Sequence, residues 1–320
     1  MRIAWLGTGL LGSPMAEKLC DAGHEVVAWN RTRAKAEPLQ AHGAVVAETA
    51  RHAVGTAECV LLMLQDAEVI ENVLFAEAVA KERTVDRAPN AEDGGAAAAG
   101  GTPAAGGASA HRGPVDLDGR TVIQMGTISS AESVHLAERV AGAGGDYLEA
   151  PVLGSIPQAR SGTLIVMVGG SEEQFARWRP FLSCFGPQPL HVGPVGQAAI
   201  LKLALNQLIA SLTAAFSFSL GLVRRAGIEV DLFMRIVRES ALYAPTYDKK
   251  LPSMLERRFS NPNFPARHLL KDVRLMLLEG ERLGLEIGTI RAIEAILEHV
   301  QALGHAGSDY SSLYEAIDPA

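Results

Sequence analysis

The first half of the chain alternates short apolar runs with segments of helical periodicity. Continuous apolar runs of this length are typical of strands that are buried on both faces. The alternation predicts an α/β fold with a Rossmann-type, doubly wound parallel sheet. The runs that we interpret as strands are 2–6, 25–29, 44–46, 59–64, 121–124, 147–149, 163–168 and 189–192.

Polar residues mark where helices begin between these runs. Ser129 and Glu132, and later Ser171 and Gln174, have the spacing of a capping box. From Gly196 onward the pattern changes to long helices. We therefore expect a Rossmann-type domain at 1–193 and an all-α C-terminal domain at 194–320.

Two segments depart from this pattern. Residues 91–110 contain 15 Ala or Gly among 20, too little apolar surface to offset the entropy of ordering, so 91–114 is predicted to be a flexible surface insertion. Residues 203–223 carry no formal charge over 21 residues, enough to span a bilayer. The polar residues spread along that segment favour a helix buried between domains or subunits over a membrane span; they are Asn206, Gln207, Ser211, Thr213, Ser217 and Ser219.

Composition narrows the possible partners. The net charge is -7 and basic residues form no cluster, which argues against a nucleic-acid partner. The nine histidines show no metal-ligand spacing, so no metal site is expected. The three cysteines lie in apolar surroundings and no secretory signal precedes the first strand. We expect a cytoplasmic protein with reduced thiols.

The loop after the first strand carries the clearest chemical motif, Gly7-Thr8-Gly9-Leu10-Leu11-Gly12. In a dinucleotide-binding fold the first glycine allows the turn, the second admits the pyrophosphate, and the third lets the helix approach the sheet. Residues 7–12 are therefore candidates for binding a nicotinamide dinucleotide.

The end of the second strand indicates which dinucleotide is bound. An Asp or Glu there binds the ribose 2′-hydroxyl of NAD, but the chain has Asn30-Arg31-Thr32. The Arg31 guanidinium suits a 2′-phosphate, which favours NADP, used as NADPH, over NAD. The alternative is a solvated arginine in a basic loop.

Candidate catalytic residues lie near the start of the long helix. Lys202 and Asn206 are four residues apart and share one face among apolar neighbours. Carbonyl reduction needs a proton donor and a group that fixes the substrate oxygen, and burial lowers a lysine pKa into the useful range. An interface lysine whose ammonium reaches solvent is the alternative.

Two weaker candidates remain. Leu153, Gly154 and Ser155 follow a strand where α/β proteins bind ligands, although an ordinary turn has the same pattern. Lys271 and Asp272, on a helix predicted at 266–283, have the pattern of a solvated charge pair.

Together these motifs resemble the β-hydroxyacid dehydrogenase family, which is 6-phosphogluconate dehydrogenase-like. It includes 3-hydroxyisobutyrate dehydrogenases, tartronate semialdehyde reductases and the glyoxylate and succinic semialdehyde reductases, to which the chain is most similar. The resemblance covers nearly the whole chain. It rests on the glycine loop with 13–16, and on 22–24, 30–32, 125–129, 162–170, 196–206 and 271–272.

The resemblance implies roles for particular residues. Lys202 would be the catalytic acid/base and Asn206 would orient a small carbonyl substrate. Thr127 and Lys271 would contact the cofactor, and Met63 and Leu64 are further cofactor-binding candidates. The C-terminal helices would build a homodimer or homotetramer.

The chain departs from the family pattern in two places, the insertion at 91–114 and Leu153. At position 153 the family usually has a serine that holds the substrate carboxylate. Losing such a bond costs about 1.5–3 kcal/mol unless Ser155 or backbone amides replace it. We therefore expect an NADPH-dependent reductase of a small aldehyde or keto acid, or the reverse oxidation of a 3-hydroxy acid. An imine reductase and a non-catalytic NADP-binding scaffold are the alternatives.

Overall fold

The computed structural model describes residues 1–55, 57–75 and 114–319, so the predicted insertion lies outside the described residues except for Pro114. The strands are β1 (Arg2–Leu6), β2 (Glu25–Trp29), β3 (Val45–Val46), β4 (Cys59–Leu62), β5 (Thr121–Gln124), β6 (Asp146–Glu149), β7 (Val152–Leu153), β8 (Ile165–Gly169) and β9 (Leu190–Gly193). The helices are α1 (Gly12–Asp21), α2 (Ala50–Val54), α3 (Ala67–Phe75), α4 (Ser130–Gly142), α5 (Ile156–Ser161), α6 (Glu172–Leu182), α7 (Gln197–Arg225), α8 (Val230–Glu239), α9 (Pro245–Leu255), α10 (Ala266–Arg282), α11 (Gly288–Ala302) and α12 (Leu313–Ile317).

The predicted α/β fold class is confirmed. The described strands form one sheet in the order β3-β2-β1-β4-β5-β6-β8-β7, with β9 beside β8, and the part from β3 to β6 is parallel. Its strands are largely apolar because an apolar cluster covers each face of the sheet. Both capping boxes are present, with Ser129 and Glu132 opening α4 and Ser171 and Gln174 opening α6.

The sheet differs from the predicted parallel one at its far edge. β8 runs antiparallel to β6 through the pair Glu149 and Gly169. Leu153, expected in the loop after a strand, forms the short strand β7 together with Val152, and β7 pairs antiparallel with β8. β7 continues the direction of β6 along β8, because the Pro151 carbonyl oxygen between them accepts a hydrogen bond from the Met167 amide in the same register.

The second half of the described chain is helical and is organised around α7, which packs against α10, α11 and α12. By length and composition α7 is apolar enough to cross a membrane, and 39% of its most apolar window is buried inside the protein. The division into two domains near 193–197 remains a prediction. Two contacts join the halves at the start of α4, where Glu279 of α10 accepts the Ser130 amide at 2.8 Å and Lys271 donates to the Thr127 carbonyl oxygen.

Candidate active site

The glycine loop lies at the carboxyl edge of the sheet, where the strand order reverses between β1 and β4. Gly7 has φ +108°, and a Cβ there would collide with the Met63 carbonyl oxygen. A Cβ on Gly12 would collide with the Gly7 carbonyl oxygen, whereas a Cβ on Gly9 would meet no atom within 4 Å. Gly7 and Gly12 are therefore required by packing, and Gly9 borders open space that a ligand can fill.

The start of α1 fits a phosphate group. The helix has no side-chain cap and no acidic residue in its first turn, so the backbone N–H groups at its start suit an anion. Thr8 is buried, and its hydroxyl has no hydrogen-bond partner among the described residues. An unpaired buried hydroxyl beside open space is consistent with a polar ligand at this loop.

The residues after β2 divide into a structural and an exposed group. The Asn30 side chain accepts from the Thr8 amide at 3.1 Å and donates to the Thr32 carbonyl oxygen at 2.9 Å, which ties the glycine loop to β2. Arg31 and Thr32 are exposed, and Arg31 forms no ion pair within the described ranges. Arg33, by contrast, lies 3.4 Å from the Glu37 carboxylate. Of these arginines, Arg31 is the one whose guanidinium is available to a ligand.

The ends of β4 and β5 lie beside the glycine loop. The Met63 backbone packs against Gly7, and the Leu64 carbonyl oxygen would lie 2.8 Å from a Cβ on Gly126. Thr127 follows Gly126 and precedes α4. Met63, Leu64 and Thr127 thus line the same edge of the sheet as residues 7–12.

A chain of polar contacts connects this edge to α7 and α10. The Lys271 ammonium donates to the Thr127 carbonyl oxygen and lies 2.8 Å from Asp272 Oδ1. Asp272 Oδ2 accepts from Asn206 Nδ2 at 2.7 Å. Lys202 lies one turn before Asn206 on the same face of α7. The structure therefore brings Lys202, Asn206, Lys271 and Thr127 into one cluster.

Burial lowers the pKa of Lys202 from 10.5 to about 8, an effect that the Asp272 carboxylate opposes and the Lys271 ammonium reinforces. The Lys202 residue as a whole is partly exposed, but its ammonium is surrounded by protein atoms. The burial of the ammonium is what lowers the pKa. Asn206 is buried, and its Oδ1 has no hydrogen-bond partner among the described residues. A lysine that exchanges its proton near neutral pH beside an unpaired amide oxygen suits proton transfer to a bound substrate.

The loop of Leu153, Gly154 and Ser155 lies at the start of α5, which packs against α1. Gly154 has φ +138°, which favours glycine. The Ser155 hydroxyl donates to Gln158 Oε1 at 2.8 Å, so it is already used within its own turn. Among the described residues no hydrogen bond links this loop to Lys202 or Asn206.

Asp272 is the residue of the cluster that sequence reasoning missed. The prediction that Asp272 belongs to a solvated charge pair is wrong, because Asp272 is 2% exposed and binds Asn206. The available signal was its position among the buried residues of α10, which include Leu269, Val273 and Met276. A carboxylate on the apolar face of a helix requires a buried partner.

Two family models match the chain. Residues 2–103 and 114–193 match the NAD binding domain of 6-phosphogluconate dehydrogenase. Residues 196–317 match the model described as NAD-binding of NADP-dependent 3-hydroxyisobutyrate dehydrogenase. Together the two models cover both the sheet and the helical half.

Individual proteins are similar over the whole chain. Glyoxylate/succinic semialdehyde reductase 2 of Arabidopsis thaliana, a chloroplastic protein, is 29% identical over 99% of this chain and 80% of its own. The 2-hydroxy-3-oxopropionate reductase of Escherichia coli is 30% identical over 99% of this chain and 97% of its own. The structure of Mycobacterium tuberculosis 3-hydroxyisobutyrate dehydrogenase with L-serine has a TM-score of 0.77 at 24% identity, over 98% of each chain.

Proposed function

The chain belongs to the 3-hydroxyisobutyrate dehydrogenase-like family of NAD(P)-dependent oxidoreductases, and from this premise we propose that it is an NADPH-dependent reductase of a small aldehyde or keto acid. The reverse reaction would oxidise a 3-hydroxy acid. The observation that carries the proposal is the desolvated Lys202 ammonium one helical turn from the unpaired Oδ1 of buried Asn206.

Each residue of the cluster has a role in this reaction. A bound reduced nicotinamide would supply the hydride for the carbonyl carbon. Lys202 donates its proton to the carbonyl oxygen, and with a pKa of about 8 it can also take the proton back in the oxidation. Asn206, held by Asp272, orients the substrate through its amide. Lys271 and Thr127 would contact the cofactor where β5 ends.

The proposed preference for NADPH rests on Arg31. Its exposed guanidinium forms no ion pair within the described part of the chain, and no carboxylate at 30–32 repels a 2′-phosphate. The backbone N–H groups at 9–12 would hold the pyrophosphate.

For the substrate we propose glyoxylate or succinic semialdehyde first, in line with the name of the Arabidopsis relative. The Gly154 backbone amide would hold the acid group, because the Ser155 hydroxyl and the Ser155 amide both donate to Gln158 Oε1. The test is consumption of NADPH with a panel of semialdehydes, 2-keto acids and cyclic imines. Turnover that is highest with a small semialdehyde or keto acid supports the proposal, and no turnover with any carbonyl contradicts it.

Imine reduction is a second candidate, and a specific observation favours it. Leu153 places an apolar side chain in the proposed substrate loop and Ser155 is occupied, which would suit a less polar C=N substrate. A higher kcat/KM with a cyclic imine than with glyoxylate in the same panel would establish this alternative.

We also propose that the protein is a homodimer or homotetramer. Leu201, Leu208 and Leu222 are spaced by 7 and 14 residues on α7 and are exposed, as is Phe218 one turn before Leu222. A second copy would cover this apolar stripe. Light scattering on the wild type and on Leu208→Lys tests it: we expect a multimer that the substitution dissociates, and a monomeric wild type contradicts the proposal.

A further inference from the structure

Glu149 is a buried carboxylate that the proposed reaction does not use. It ends β6 and is 1% exposed. Its Oε1 accepts three backbone N–H groups, from Gly196 at 2.9 Å, Ala198 at 2.8 Å and Ala199 at 3.1 Å. Its Oε2 accepts the Ser133 hydroxyl. Both carboxylate oxygens of this buried residue therefore accept hydrogen bonds from other parts of the protein.

The three amides belong to the N-cap residue Gly196 and to the first turn of α7. This helix begins after Gly196, which has φ +98°, and no local side chain caps it. Unpaired N–H groups at a buried helix start are costly. Glu149 satisfies them from 47 to 50 residues away in sequence. Burial raises the pKa of Glu149, and the hydrogen bonds from Ser133 and from the three amides oppose that rise.

The surrounding backbone is shaped to accept this carboxylate. Gly169 on β8 pairs with Glu149 across the antiparallel junction, and a Cβ on Gly169 would collide with the Glu149 carboxylate. Ser133 lies on α4 and also contacts the Tyr147 hydroxyl at 2.9 Å. The position of Glu149 is thus fixed by β8 and α4 as well as by its own strand.

We propose that Glu149 is a positioning residue that sets the place of α7 on the sheet and, through it, the place of the Lys202 ammonium at the end of β5. Ala198, Lys202 and Asn206 are spaced by four residues on one face of α7, so a displacement of the first turn moves the two site residues with it. The inference rests on the proposed function of Lys202. Because Glu149 is absent from the charges that act on Lys202, its effect is one of geometry.

The test compares variants that remove the carboxylate, replace it by an amide or displace it. Glu149→Ala leaves the α7 amides unpaired, while Glu149→Gln keeps an oxygen acceptor of the same reach without the charge. Gly169→Ala pushes on the carboxylate from β8 without changing it. A misplacement of about 1 Å can cost about 100-fold in rate. We expect kcat to fall about 10- to 100-fold in Glu149→Ala and Gly169→Ala, with NADPH affinity nearly unchanged, and Glu149→Gln to retain most of kcat.

Two matched controls separate positioning from a general loss of stability. Asp318 is a buried carboxylate at the other end of α7, where it binds Arg225 and packs against Gly221. Asp318→Asn should lower the melting temperature without changing kcat. Gly142→Ala, at a glycine whose Cβ would meet no atom within 4 Å, should leave kcat unchanged and should not lower the melting temperature.

A second readout needs no turnover. The rate of Lys202 modification by an amine-reactive reagent, followed by peptide mass spectrometry against pH, reports the Lys202 pKa directly. We expect this pKa to rise from about 8 toward the ordinary lysine value in Glu149→Ala and to stay in Glu149→Gln. Failure of the wild type to reduce any carbonyl would refute the proposed function and leave this readout intact.

Three results would overturn the inference. They are a folded Glu149→Ala with wild-type kcat and Lys202 pKa, a Glu149→Gln as impaired as Glu149→Ala, and an Asp318→Asn with the same loss of kcat. If Glu149→Ala does not fold, Gly169→Ala and Glu149→Gln decide the question by the same two readouts.

Discussion

Replacing Asp272 with Asn removes a negative charge from the cluster around Lys202 while keeping the size of the side chain. Asp272 binds Asn206 and Lys271 at 2.7 and 2.8 Å, and its charge is the one that raises the pKa of Lys202 against burial and against Lys271. The substitution therefore leaves only influences that lower this pKa. Proton donation by Lys202 should be lost at a lower pH than in the wild type.

The magnitude follows from the wild-type value. With a pKa of about 8, Lys202 carries its proton in about nine of ten molecules at pH 7 and about one of ten at pH 9. An opposite charge within a few ångströms typically changes a pKa by about one to three. We expect the pKa of Lys202 in the variant to be about 7 or lower. Relative to the rate at low pH, carbonyl reduction at pH 9 should then be about tenfold slower in the variant than in the wild type.

The assay is kcat/KM for carbonyl reduction against pH, at saturating NADPH. In the wild type the rate should fall as pH rises through about 8, because the ammonium is the proton donor, and oxidation should show the opposite trend. Asp248→Asn, which breaks an ion pair with Arg238 on the helical half, is the matched control and should leave the profile in place. An Asp272→Asn profile that stays at the wild-type pH, or moves to higher pH, refutes the reasoning.

Two further predictions concern the cofactor. Arg31→Ala should raise KM for NADPH about tenfold or more, since a bond to a charged group contributes about 1.5–3 kcal/mol, and should leave KM for NADH unchanged. Arg33→Ala, which removes an ion pair with Glu37, is the control and should have little effect on either KM. Equal effects of the two variants would contradict the assignment of Arg31 to the 2′-phosphate. Gly9→Ala should fold with a wild-type melting temperature but bind NADPH weakly in calorimetry, whereas Gly12→Ala should lower the melting temperature because its Cβ meets the Gly7 carbonyl oxygen; unchanged NADPH binding by folded Gly9→Ala would count against the phosphate loop.

The parallel part of the sheet could be predicted because each strand carries its own signal. The runs at 2–6, 25–29 and 121–124 coincide with β1, β2 and β5, since strands buried on both faces carry nearly continuous apolar runs. The capping boxes were also readable, because both partners lie within one helical turn. Local patterns therefore located the glycine loop and the helix that carries Lys202.

The remaining features depend on contacts between residues far apart in sequence. The antiparallel junction of β6 and β8 joins Glu149 to Gly169, and nothing in either strand alone indicates its direction. Asp272 acquires its role only because α10 packs against α7, 66 residues away at Asn206. Glu149 offered one hint, a charged residue at the end of an apolar run, but its partners on α7 could not be identified before the fold was known.

The central claim is that the Lys202 ammonium is the proton donor of a carbonyl reduction, and Lys202→Ala tests it most directly. The measurement is kcat with the carbonyl that the wild type reduces best, alongside NADPH affinity and the melting temperature, with exposed Lys249→Ala as the control. We predict a loss of about 100- to 10,000-fold in kcat, NADPH binding close to wild type, and partial recovery on addition of a small primary amine. A folded Lys202→Ala that turns over every carbonyl at the wild-type rate would contradict the account.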